Sequence, residues 1–269
     1  MEIITSKSNE KVKFIKSLNE KKFRQKYNCF YLEGVKVVEE VINSDRAIDI
    51  LFIAYSDEIL SLVNGGERLL KIIEAIEPND YINVLNISKE VFETLTDTVK
   101  TQGVLVVLKA KEYEIEKILK EENDILLLDK VQDAGNLGTI IRTADAFDIR
   151  TIICIEGTVD VYSPKVVRST MGSILRQKVI YIKEDQVELL KKHNYKLIGT
   201  SLKANKRLKN IDLSSKKAFI FGNEANGVSK LVEEKCDELI KIDMSSSAES
   251  LNVAISVGIV LYENYINKH

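Results

Sequence analysis

The sequence predicts an α/β protein built from two domains. Two observations carry this reading: short apolar, β-rich runs alternate with helical runs along the chain, and a charge-dense stretch near the middle interrupts them. The length of 269 residues agrees with one large domain or two modest ones. With 39 basic and 41 acidic residues the net charge is −2, so no global basicity points to a polyanionic partner and any such site must be local.

The first thirty residues hold eight Lys or Arg against three Glu, a local excess of five positive charges. Val12, Phe14, Ile15 and Leu18 recur at helical spacing among them, which predicts an amphipathic helix with a basic outer face. An isolated segment of this kind is a solvated surface; beside a domain that acts on a polyanion it becomes an RNA contact. Lys7, Lys11, Lys13, Lys21, Lys22 and Arg24 are the candidate phosphate contacts.

Strands follow at Cys29 to Leu32, Ile50 to Ala54, Tyr81 to Ile87 and Gly103 to Leu108, with a helix from Gly34 to Asn43. Residues 1–108 therefore form the first domain. Residues 109–123, charge-dense and without a clear apolar seam except at Tyr113, Ile115 and Ile118, read as a linker. Residues 124–269 form the second domain, where apolar runs recur at Ile125 to Leu128, Thr151 to Ile155, Val179 to Ile182, Leu197 to Thr200, Ala218 to Phe221 and Leu239 to Ile242. Near-continuous apolar strands separated by helices predict a parallel sheet covered on both faces. Ligands of such sheets bind in the loops at the strand carboxyl ends.

Three of those loops carry chemistry. In the first, Asp129 to Phe147, the stripe Leu137, Ile140, Ile141, Ala144 and Phe147 is the buried face of a helix. Gly138 and Arg142 are expected on its open face and Asn136 at its N-terminus. The second, Phe221 to Ser229, has the glycine spacing of a phosphate loop at Gly222 and Gly227, but Val228 stands where the phosphate-binding lysine belongs. What remains is a tight turn that admits backbone to a ligand, with Glu224 as an acceptor or counter-charge. The third, Ile242 to Ser256, places Ser250 and Asn252 at the start of the last helix.

Taken in order, Asn136-x-Gly138-x-x-x-Arg142, Gly222-Asn-Glu224-x-x-Gly227 with Ser229, and Ser250-Leu-Asn-Val253 after Ile242-x-Met244 closely resemble the three motifs of the SpoU-type, or TrmH-like, RNA ribose methyltransferases of the SPOUT superfamily. The segment Ser163 to Ser173 resembles their region between the first two motifs, and Phe30 to Glu39 resembles their small substrate-binding domain of L30e-like fold. The resemblance implies a parallel α/β domain with a trefoil knot, a homodimer formed through the C-terminal domain, and S-adenosylmethionine held near Thr200, Leu202, Gly222, Asn223, Gly227, Ile242, Met244 and Leu251. It implies methyl transfer to a ribose 2′-hydroxyl in structured RNA, ribosomal ahead of transfer RNA, with Arg142, Asn136, Glu224, Ser250 and Asn252 as catalytic residues and no metal. A catalytically silent RNA-binding protein on the same scaffold is the alternative. Three positions depart from the family pattern: Ala134 and Asp243 replace prolines and Ser246 replaces a glycine.

Three dispersed cysteines and two histidines fit neither a disulfide framework nor a His-rich metal centre. The N-terminus lacks an apolar core behind a basic segment, and no apolar run reaches the length needed to cross a bilayer, so a cytoplasmic location is expected.

Overall fold

The computed structural model describes residues 2–76, 82–121, 123–210, 215–245, 247 and 249–268. Tyr81, Ser246 and His269 lie outside the described residues. Two compact units form: residues 1–111 with Tyr162–Leu175, and residues 112–161 with 176–269.

The first unit has a four-stranded mixed sheet in the order β1-β4-β2-β3, from β1 (Cys29–Glu33), β2 (Ile50–Tyr55), β3 (Asn83–Asn86) and β4 (Val104–Lys109). β4 pairs antiparallel with β1 and β2, while β2 and β3 run parallel. Two short helices, Glu10–Ser17 and Lys21–Tyr27, precede the sheet. Val12, Ile15 and Leu18 are buried against Phe92 and Leu105, so the apolar stripe packs on the sheet and the lysines face outward. Tyr162–Leu175 belongs to this unit although it falls within the sequence's expected second domain; Tyr162 stacks on Phe30 with ring centroids 4.4 Å apart.

The second unit has a seven-stranded sheet, from β5 (Ile125–Leu128), β6 (Thr151–Ile155), β7 (Lys178–Ile182), β8 (Lys196–Thr200), β9 (Lys206–Arg207), β10 (Lys217–Phe221) and β11 (Glu238–Lys241). Their order is β7-β6-β5-β10-β8-β11-β9, and every pairing is parallel. The expected parallel sheet is present, and its order reverses between β5 and β10. The carboxyl ends of β5, β8, β10 and β11 thereby come together, although their residues are scattered over more than 110 positions of sequence.

The expected linker instead contains a helix, Ile115–Glu121, whose Ile118 and Leu119 are buried in the core of the second unit. Three apolar side chains at 115, 118 and 119 are enough for one buried stripe. Their charged neighbours form its solvated face and mask it in composition.

At the opposite end of the sheet from those loops, buried Asp124 receives Lys217 Nζ at 3.3 Å, Lys268 Nζ at 2.7 Å and Asn264 Nδ2 at 3.0 Å. Its other oxygen accepts the Lys217 backbone N–H at 3.1 Å. One carboxylate thus joins the starts of β5 and β10 to the end of the final helix, Val253–Ile266. The Lys217 ammonium side chain is fully buried, so removing its counter-charge is costly. Asp124→Ala should destabilise the second unit by about 3 to 5 kcal/mol, read as a lowered urea midpoint by tryptophan-independent circular dichroism.

Candidate functional site

Helix Ala134–Ala146 begins one residue after Asp133, whose side chain caps it by accepting the Asn136 N–H at 2.7 Å. The cap is therefore Asp133, and Asn136 sits inside the first turn. Its side chain is free to act elsewhere for that reason. The final helix is capped by Asn252, whose Oδ1 accepts from Ala254 N at 2.9 Å and Ile255 N at 3.3 Å; Ser250 lies outside the helix and is exposed. Asp before a helical run is the ordinary cap signature and marks Asp133 in sequence.

The loop after β10 is pinched shut. Asn223 and Gly227 exchange two backbone hydrogen bonds of 2.9 Å, and Gly227 has φ +70. A Cβ on Gly222 would lie 1.9 Å from the Gly227 carbonyl carbon, so only glycine fits there. Asn223 Oδ1 accepts the N–H groups of Ala225 and Asn226, while its Nδ2 donates to the Lys130 carbonyl at 2.9 Å.

These loops are joined through side chains. Asn252 Nδ2 donates to Asn136 Oδ1 at 2.9 Å, and Asn136 Nδ2 donates to Glu224 Oε1 at 2.9 Å. Glu224 also accepts the Gln132 and Asp133 backbone N–H groups, each at 3.2 Å. Burial alone would raise the Glu224 carboxyl, but the Asn136 amide and the backbone N–H groups outweigh it and hold the group below the ordinary carboxylate value. Glu224 is an anchor between the first two loops.

A second set of bonds, legible from no local motif, braces the same loops. Buried Asp129, at the end of β5, accepts the Ser229 N–H at 2.6 Å. Glu184 accepts the Ser229 hydroxyl at 2.6 Å and pairs with Lys130 at 3.1 Å. The Ser229 hydrogen bond is the foremost cause of its carboxyl lying below the usual range.

Next to this junction is a cleft of about 620 Å³. Thr200, Leu202, Gly222, Asn223, Gly227, Ile242, Met244 and Leu251 all line it, as do Glu224, Ser250 and Asn252. Lys203, Glu233 and Glu249 line it as well and escaped the motif reading. Apolar side chains beside exposed backbone and a few convergent polar groups suit a small organic ligand of this size. Among the described residues, no group of three or more His, Cys, Asp or Glu is arranged to hold a metal ion.

Arg142 lies six residues along the first-loop helix from Asn136, exposed and with no partner among the described residues. Arg150 and Arg176, by contrast, both pair with Asp145. Gly138 departs from the open face expected for it: it is buried, because the helix packs there and a glycine offers no side chain to project. Asp243, where the family pattern has proline, pairs with Arg207 at 3.3 Å.

Of the six expected phosphate contacts, Lys7, Lys11, Lys13, Lys21 and Lys22 are exposed. Arg24 corrects the expectation: it is 6% exposed and donates from Nη1 to the carbonyls of Leu18 at 2.6 Å and Asn19 at 2.9 Å. Its fork closes the turn between the first two helices, whose carbonyls would otherwise lack donors.

Two outcomes follow from this geometry. Ala134 occupies the first helical position, after an extended residue with φ −78 and ψ 124, so Ala134→Pro should raise stability by about 0.4 to 1 kcal/mol in urea titrations. Glu224→Gln should lower stability at neutral pH. Because the folded-state carboxyl is depressed, the wild-type advantage is present above its ordinary value of 4.5 and is lost as pH falls through the folded value. Urea midpoints of the two proteins should therefore converge in acid.

Comparisons with known proteins give the family. Residues 123–262 match the SpoU rRNA Methylase family, and residues 9–106 match the MRM3-like substrate binding domain. The 23S rRNA (guanosine(2553)-2'-O)-methyltransferase RlmP of Bacillus subtilis is 33% identical over 263 residues, covering 97% of this chain and 98% of that protein. The 23S rRNA (guanosine-2'-O-)-methyltransferase RlmB of Coxiella burnetii is 30% identical over 206 residues, covering 73% of this chain and 82% of the relative. The crystal structure of an AdoMet-bound rRNA methyltransferase from Sinorhizobium meliloti superposes with a TM-score of 0.87 at 29% identity, covering 99% of this chain and 98% of that one. With a family match over residues 123–262 and a relative 33% identical over 97% of its length, the chain belongs to the SpoU rRNA methylase family.

Proposed function

We propose that this protein transfers a methyl group from S-adenosylmethionine to a ribose 2′-hydroxyl in structured RNA, ribosomal in preference to transfer RNA. The observation that carries the reading is the junction of Asn136 with Glu224 and Asn252, the latter two lining the cleft, supported by the 2′-O-methyltransferase relative that matches 97% of the chain.

The cleft fits the cofactor. Leu202, Ile242, Met244 and Leu251 supply apolar cover for an adenine, and the loop at Gly222 has space for backbone but for no Cβ. When bound there, S-adenosylmethionine supplies an electrophilic methyl group. A ribose hydroxyl is a poor nucleophile and must lose its proton as attack proceeds. A guanidinium stays protonated, so Arg142 fixes the target phosphate and stabilises the developing oxyanion, while the proton leaves to a neighbouring phosphate or water. Asn136 and Asn252 position the loops around the acceptor, Ser250 hydrogen-bonds the ribose, and Glu224, already accepting three hydrogen bonds, orients the loop.

The same reading includes the lysines at 7, 11, 13, 21 and 22 as phosphate contacts. It also includes residues 1–108 as the RNA-binding part, 109–123 as its connection and 124–269 as the knotted methyltransferase part. The final helix supports a homodimer: Ile255, Ile259, Tyr262 and Ile266 form an exposed apolar row opposite the buried Val257, Val260 and Leu261. Among the described residues, no helix is long and apolar enough to cross a membrane, which fits a cytoplasmic enzyme.

Ribosomal RNA labelled by the protein and methyl-labelled cofactor should resist alkaline hydrolysis at one site, leaving a gap in the ladder. Cleavage at every position together with a methylated base would overturn the ribose assignment. Arg142→Ala should lower the transfer rate about 100- to 1000-fold while calorimetry shows cofactor affinity within a few fold of wild type. Loss of cofactor binding by the folded variant would remove Arg142 from this role.

A further inference from the structure

The helix Lys21–Tyr27 carries more than charge. Phe23 and Tyr27 are four residues apart and therefore share a face. Their rings lie within 9° of parallel with centroids 6.2 Å apart. Tyr27 is 39% exposed, so part of its ring meets solvent. Phe14 meets it edge-on, 5.1 Å between centroids at 63°, and Phe14 in turn packs on Phe52 of β2 at 5.7 Å. Arg24 ties the same helix to the preceding turn through two carbonyls. The pair is held rigidly at the surface.

Lysines interleave with the rings at the same spacing. Lys22 Nζ lies 4.8 Å from the centroid of Phe23, and Lys26 Nζ lies 5.2 Å from that of Tyr27. Exposed cation–π contacts are weaker than a base stacked on an aromatic face, so a base displaces the ammonium, which then meets a phosphate of the same strand. Only two of the seven residues of the helix are apolar or aromatic, too few to insert into a lipid surface.

We propose that the Lys21–Tyr27 helix is a stacking platform for unpaired nucleotides of the RNA substrate, with bases against Phe23 and Tyr27 and phosphates against Lys22 and Lys26. The inference rests on the reading of the substrate as RNA and adds that this surface recognises single-stranded or bulged segments. Paired bases hide their faces in the helical stack, whereas unpaired bases offer them.

The test uses the full-length protein and fluorescence anisotropy, with a labelled oligouridine of about twelve nucleotides and a blunt-ended RNA duplex of two strands as probes. In the double variant Phe23→Leu with Tyr27→Leu, apolar packing on Phe14 is retained and both flat rings are lost. Its oligouridine affinity should fall about 30-fold or more, two stacked bases being lost, with duplex affinity unchanged. The dependence of log affinity on log salt should keep its slope, since no charge is removed. Tyr27→Phe should retain wild-type affinity. Lys22→Gln with Lys26→Gln should instead flatten that slope by about 0.7 per lost contact.

The single variant Phe23→Leu, which leaves the Phe14 contact untouched, decides the matter if the double variant does not fold. Equal oligouridine affinity in the leucine variants and the wild type overturns the platform, as does an equal loss for oligouridine and duplex. Wild-type binding to phosphatidylserine vesicles but not to oligouridine overturns it too. Methyl transfer to ribosomal RNA is measured in parallel with wild type. Transfer with undiminished oligouridine binding by the leucine variants defeats the platform alone, while absent transfer defeats the enzymatic reading and leaves the oligouridine result to decide the platform.

Discussion

A single row of hydrogen bonds, Asn252 to Asn136 to Glu224, holds the site together, and its direction is set from both ends. At one end, Asn252 Oδ1 is committed to capping the final helix, which leaves only Nδ2 to reach Asn136. At the other, an ionised carboxylate can only accept, so Asn136 must present its Nδ2 to Glu224 and its Oδ1 to Asn252. An aspartate at 136 would face Glu224 with a second negative charge and would have no donor to offer. The backbone N–H groups of Gln132 and Asp133 complete the carboxylate, so the β5 loop, the β10 loop and the final helix each depend on the other two.

That junction requires the strand order of the sheet. β5 and β10 are adjacent in space although nearly ninety residues separate them, and β8 and β11 flank β10 on its other side. Parallel strands put all four carboxyl ends on one edge, where loops are solvated and can carry polar groups. The same adjacency is secured from the other edge by Asp124, whose carboxylate binds the start of β10 and the end of the final helix. Stability and chemistry are thus assigned to opposite ends of the same strands.

Arginine usage follows a similar division. Arg24 and Arg46 are buried and satisfied by carbonyls and a carboxylate, and Arg150 and Arg176 share Asp145. Arg142 alone among these has no partner among the described residues, so its donors are available to an anion from outside. An exposed guanidinium and exposed parallel rings both suit a flexible, negatively charged partner with flat bases.

The strands of both units other than the two-residue β9, the parallel character of the second sheet and the motif residues of the cleft were legible in the sequence because each rests on local pattern: apolar runs, turn glycines and motif residues within a few positions of one another. The departures arise where partners are distant. Arg24 sits in a basic run and looks exposed, yet nearby carbonyls bury it. Ile118 and Leu119 look like linker until a core exists to cover them. Tyr162–Leu175 joins the first unit because Tyr162 has Phe30 to stack on, more than 130 residues away. By itself the sequence determined which residue types occupy each strand end, through local sterics and burial. Only the tertiary structure decided which strand ends are neighbours, and so which amide meets Glu224, because hydrogen bonds between loops are set by strand order, on which local periodicity is silent.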